Sequence, residues 1–129
     1  MTAVNFDALI VSALDDFHDH VSVKFPDKLD EPFIRVTLID GRAPGPALHH
    51  AAGYVQVDCY AGRGNTQSEA LELGRQVVEQ LHDLRGTTRS GVAITGVTGI
   101  GWRRLDDESI KPPRARCIVE ATIHAHPAP

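Results

Sequence analysis

The sequence predicts an α+β fold. It reads as a mainly antiparallel or mixed sheet of about five strands, with two amphipathic helices on one face, in the order α-β-β-β-α-β-β. Three observations predict it. Two segments carry apolar residues at the 3.6-residue helical period. Several others alternate apolar and polar residues, as half-buried strands do. The strands come in runs whose connections are too short for helical crossovers, which favours antiparallel neighbours. A chain of 129 residues suits one domain, 1–129, with one core.

The first helical segment covers residues 5–20. Phe6, Leu9, Ile10, Ala13, Leu14 and Phe17 share one face. Asn5 is a candidate N-cap, and Asp7 favours the positive helix start. Val21–Phe25 alternates and reads as a short strand stopped by Pro26. Phe33–Asp40 alternates again and ends at Gly41. Residues 41–53 hold two prolines, three glycines and His49-His50, so they read as a long exposed loop, a place where function often resides.

Tyr54–Tyr60 is the clearest strand, with Val55, Val57 and Cys59 on one face. Thr66 to Glu69 fits a capping box, in which Thr66 caps the helix and Glu69 reaches back. The helix runs to about Leu84, with Ala70, Leu73, Val77, Leu81 and Leu84 on its stripe. Gly74 inside it costs about 1 kcal/mol and implies close packing on the sheet. Val92–Trp102 is strand-like, and Gly96, Gly99 and Gly101 suggest a bulge or bend. Residues 103–113 read as a second exposed polar loop. Arg114–His126 alternates as the closing strand, with Cys117, Val119, Ala121 and Ile123 inward. Residues 124–129 read as a short exposed tail. Gln56, Asp58, Arg116, Glu120 and Thr122 would line the sheet face away from the helices.

Composition excludes several classes. The net charge of −4 argues against a DNA-coating protein, which needs a basic field. No stretch approaches a membrane span, and the acidic N-terminal segment is unlike a signal peptide. Cys59 and Cys117 form no CxxC pair and suit buried reduced thiols. No nucleophile elbow is present, and Asp15-Asp16 and Asp106-Asp107 read as solvated charges rather than a catalytic pair. Gly62-Arg63-Gly64 sits where a phosphate loop could lie, yet lacks the Walker lysine and reads as a strand-to-helix turn. His18/His20, His49-His50 and His124/His126 raise a metal reading, but no Cys, Asp or Glu completes a set at metal spacing. The expectation is no metal, no cofactor and no enzyme. The competing class is a small metal-binding α+β enzyme built on those histidine pairs.

The ordered set of segments PFIRVTLIDG (32–41), YVQVDCYAGRGNTQSEALELGRQVVEQLHDL (54–84) and GWRRLDDESIKPPRARCIVEATI (101–123) resembles the tail terminator proteins of long, non-contractile-tailed phages, notably those of actinobacteria. Val57-Asp58, Glu69-Ala70, Leu81-His82-Asp83-Leu84, Trp102, Asp106 and Pro113-Arg114 match in order. The resemblance implies a homo-oligomeric ring, a hexamer, at the head-to-tail junction of the virion, assembled in the host cytoplasm. Its implied partners are its own copies, the major tail tube protein and a neck or stopper protein. Genomic DNA would pass through the lumen without specific binding, and no membrane is involved. Another neck component, a stopper or head-completion protein, is the alternative within this class. The candidate interface residues are Arg42, His49, His50, Trp102, Arg103, Arg104, Asp106, Asp107, Lys111, Arg114 and Arg116. Arg114 and Arg116 are expected to meet carboxylates of a neighbour. Trp102, the lone tryptophan, is expected either to anchor an interface or to lie buried under a helix.

Overall fold

In a computed structural model, residues 4–26, 30–42, 51–110 and 113–128 are described, with Arg42 as backbone alone. The first helix, α1, spans Phe6–Asp15. Asn5 caps it: its side chain accepts from the Ala8 N–H at 3.2 Å. Phe6, Leu9, Ile10, Ala13 and Leu14 are buried. The helix stops short of the expected residue 20. Asp15 and Asp16 place negative charge at the negative pole of the helix, which disfavours further turns. The second helix, α2, spans Gln67–Asp83 and is capped by Thr66, whose hydroxyl accepts from the Glu69 N–H at 3.2 Å. The Glu69 carboxylate does not close a capping box. It reaches further back, to the Gly62 N–H.

Among the described residues six strands form one mixed sheet: β1 (Val21–Ser22), β2 (Phe33–Arg42), β3 (Ala51–Tyr60), β4 (Thr88–Arg89), β5 (Val92–Arg104) and β6 (Arg116–Pro127). Their spatial order is β1-β2-β3-β6-β5-β4. Every pairing is antiparallel except β1 with β2, where Val21 faces Ile34 and Ser22 faces Arg35 in parallel. The architecture is therefore α+β, with two helices on a six-stranded mixed sheet.

The strand expected over Val21–Phe25 keeps only Val21 and Ser22, and four further details differ from the sequence reading. The two-residue β4 is an additional strand, too short to leave a periodic signal. Second, β2 reaches Arg42 and β3 begins at Ala51, so both strands enter the segment read as the loop 41–53; residues 43–50 lie outside the described residues. Third, β5 continues through Arg103 and Arg104, into the segment expected as the loop 103–113. The rest of that loop is pinned by a bridge between Asp107 and Arg114. Fourth, the expected exposed tail at 124–129 is strand as far as Pro127. Ala125 is fully buried there, because it is flanked by Ala51 on one side and Ile94 on the other.

Both helices cover the same face. On that face lie Val55, Val57 and Cys59 of β3 and Cys117, Val119, Ala121 and Ile123 of β6, all buried. Two glycines set how closely the helices approach. A Cβ on Gly53 would fall 2.4 Å from the Phe6 ring, and one on Gly74 would fall 2.5 Å from Cys117 Sγ. The close packing expected of Gly74 is thus a contact with the central strand. The expected irregularity in β5 is present too. Its register against β6 shifts between Ile94 and Gly96 and again between Thr98 and Gly101, and Gly99 has φ +63°. No helix among the described residues is long and apolar enough to cross a membrane.

Candidate functional site

The sheet face away from the helices carries the polar residues expected there. At one end it is closed by aromatics: Phe33 and Tyr60 stack with centroids 4.4 Å apart, and Phe25 meets both rings edge-on. Tyr60 donates its hydroxyl to Asp107 Oδ2 at 2.8 Å. The Arg116 guanidinium lies 3.7 Å from Asp107 Oδ2 and 4.0 Å from Asp58 Oδ2, and its Nε donates to the Leu105 carbonyl at 2.9 Å. Gln56 donates to Asp58 at 2.9 Å. Ser109 donates to Asp107 from both its backbone and its hydroxyl.

Burial sets the protonation of this cluster. It raises Asp58 above the ordinary carboxylate value, although Gln56 and Arg116 oppose the rise. It pushes Tyr60 up to about 12, helped by the bond to Asp107. Burial also acts to raise Asp107, but the donors on Ser109 and Tyr60 outweigh it and hold that carboxyl low. One cation between two carboxylates, with a phenol and a serine donating, makes a lock. It fastens residues 105–109 to the start of β6.

The borders of the sheet are different in kind. The short strand β1 covers only Ile34 and Arg35 of β2, and β4 covers only Val92 and Ala93 of β5. Ile94 adds backbone bonds to Gly86 and Thr87. Beyond these, the outer edges of β2 from Val36 and of β5 from Thr95 pair with no strand among the described residues. The exposed large apolar side chains follow the same division. Val23, Phe25, Leu38 and Ile39 belong to β2 and the chain leading to it, while Trp102 and Leu105 belong to the far end of β5. Trp102 is 63% exposed, so it is not buried under a helix. It forms one wall of a groove of about 430 Å³, opposite Leu71, Arg75 and Val78 of α2, with Cys117 among its lining.

The other candidate residues separate into groups. Arg103 pairs with Glu120 at 2.8 Å, and Arg104 is exposed beside Trp102. Asp106 accepts from the Gln67 side chain. Asp107, expected to be a solvated charge, is buried by the donors around it and forms the lock with Arg116. Arg114 donates to the Ala61 and Gly62 carbonyls. Arg114 and Arg116 therefore find their acceptors within the chain rather than waiting for a neighbour's carboxylates. The reason is local: both lie where β6 begins, against the end of β3. Arg42 ends β2, and His49, His50 and Lys111 lie outside the described residues.

Of the remaining histidines, His124 Nε2 is 3.0 Å from Thr98 Oγ1, and His18 Nδ1 accepts from the His20 N–H at 3.1 Å. No group of three or more His, Cys, Asp or Glu is gathered to hold a metal among the described residues. Both cysteines are buried, and desolvation raises their thiols, which disfavours the nucleophilic thiolate.

Sequence reasoning missed Leu38 and Ile39. Two adjacent apolar residues break strict alternation, and that break was the available signal. The register between β2 and β3 shifts at this point, between Leu38 and Asp40. No protein-family model matches this chain, and no curated protein matches it.

Proposed function

We propose that this chain is a structural virion subunit, a tail terminator. It forms a ring, a hexamer, at the head-proximal end of a phage tail tube and joins the tube to the neck. Genomic DNA passes through the lumen. One observation carries the reading: the exposed apolar side chains sit on two different borders of the sheet rather than in one self-complementary patch. Two unlike patches on opposite sides favour head-to-tail contacts, and such contacts make closed rings when the rotation between copies closes. The ordered resemblance to tail terminators supplies the identity of the ring. The net charge of −4 suits a channel that DNA must cross without being held by many phosphate contacts.

The test is a tube-growth experiment. Purified chain is added to polymerising tail tube protein and the products are imaged. The expected result is tubes of arrested length with an added ring of density at one end. Unchanged length distributions with bare ends overturn the reading. Rings that bind filled heads but not tubes would reassign the chain to a stopper or head-completion role.

A further inference from the structure

We propose that the ring is closed by strand pairing, the outer edge of β2 in one copy running antiparallel along the outer edge of β5 in the next. The inference rests on the ring reading above and names the surface that would build it.

The sheet's own topology provides the geometry. From β2 to β3, from β3 to β6 and from β6 to β5 the chain direction reverses each time. Three reversals leave β2 and β5 pointing in opposite directions. Copies related by rotation about an axis along the strands keep their strand directions. The β5 edge of one copy therefore meets the β2 edge of the next as an antiparallel neighbour, the better-bonded arrangement. Such pairing would satisfy the backbone groups of both open edges at once.

The side chains of the helix face agree with this pairing. Leu38 follows the parity of the buried Ile34 and Val36, so it belongs to the helix face, yet it is 37% exposed. Trp102 sits opposite the buried Val119 and belongs to the helix face as well. Continued sheet places the Leu38 side of one copy against the Trp102 groove of the next. Both edges also carry register shifts, at Leu38/Asp40 in β2 and at two places in β5. Such shifts increase twist, which disfavours flat, unlimited stacking of strands.

The experiment uses two full-length variants, Leu38→Asp and Trp102→Asp, with sedimentation velocity as the readout. The native chain is expected to sediment as a ring. Each variant alone is expected at the subunit mass of 14.0 kDa, because each has lost one of its two edges. Mixed in equal amounts, they are expected to form a species of twice that mass and nothing larger. The only pairing left joins the intact β5 edge of Leu38→Asp to the intact β2 edge of Trp102→Asp. Circular dichroism of each variant checks that it folds.

The alternatives separate cleanly. A native chain that stays monomeric at every concentration, with or without tail tube protein, overturns the ring and this interface together. A native ring whose folded variants both remain rings overturns the edge pairing alone. Variants that are monomeric but give no dimer on mixing also overturn it. A dimer formed by Leu38→Asp alone would replace it with β5-to-β5 pairing.

Discussion

The two faces of the sheet are held by opposite means. The helix face is closed by apolar contact, and two glycines let Phe6 and Cys117 come within a distance that no side chain would allow. No helix among the described residues lies over the open face. It is organised at one end by the aromatic stack and by Asp58, Tyr60, Asp107 and Arg116. Packing tolerates little change in shape, whereas a hydrogen-bonded cluster responds to protonation. The borders belong to neither regime, since their apolar side chains are left in water.

Three substitutions sharpen that contrast. The largest effect is expected at Gly74→Val, where the new side chain would drive into Cys117 Sγ and Cβ. Overpacking of this kind should cost about 3 kcal/mol, read as a lower urea midpoint with an unchanged slope. A loss below about 1 kcal/mol would mean that α2 can lift away from the sheet freely.

On the open face, Tyr60→Phe removes one donor to Asp107 and should cost about 1–2 kcal/mol. Its signature is pH dependence. The native phenol is raised from 10.0 to about 12, so the fold favours the protonated form. The contribution is complete below pH 10.0 and is lost as pH rises through about 12. Denaturant titrations across that window should show the native chain losing more stability than the variant. Parallel curves would remove Tyr60 from the lock.

The smallest effect on stability belongs to the border. Trp102→Asp should leave the folding free energy of the isolated subunit within about 0.5 kcal/mol, because the side chain supports little inside the chain. A large loss in thermal unfolding would show that the tryptophan holds the fold rather than a neighbour.

Much of the fold was legible because its signals are local. Periodicity placed the inward faces of both helices, alternation placed β3 and β6, and the glycines of β5 announced its irregular register. Other features had no local signal. The parallel pairing of β1 sets Val21 beside Ile34, 13 positions on, a contact that no local period reveals. The ends of β2 and β3 run through Gly41, Ala51, Ala52 and Gly53, residues with low strand propensity that become strand only by pairing with each other and with β6. The lock joins Tyr60 to Asp107, 47 positions apart, so only the folded chain reveals it. The exposure of Trp102 likewise turns on where β5 ends relative to α2, which spacing alone left open.

Cys59 and Cys117 face each other across β3 and β6 on the helix side, where both are buried. Cys117 borders the groove beside Trp102, whereas Cys59 cannot meet a bulky alkylating reagent while the helices lie on the sheet. The labelling rate of Cys59 therefore clocks how often the helix layer opens. The reporter is already part of the chain, so the same measurement on free subunits and on assembled particles would tell whether neighbours slow that opening.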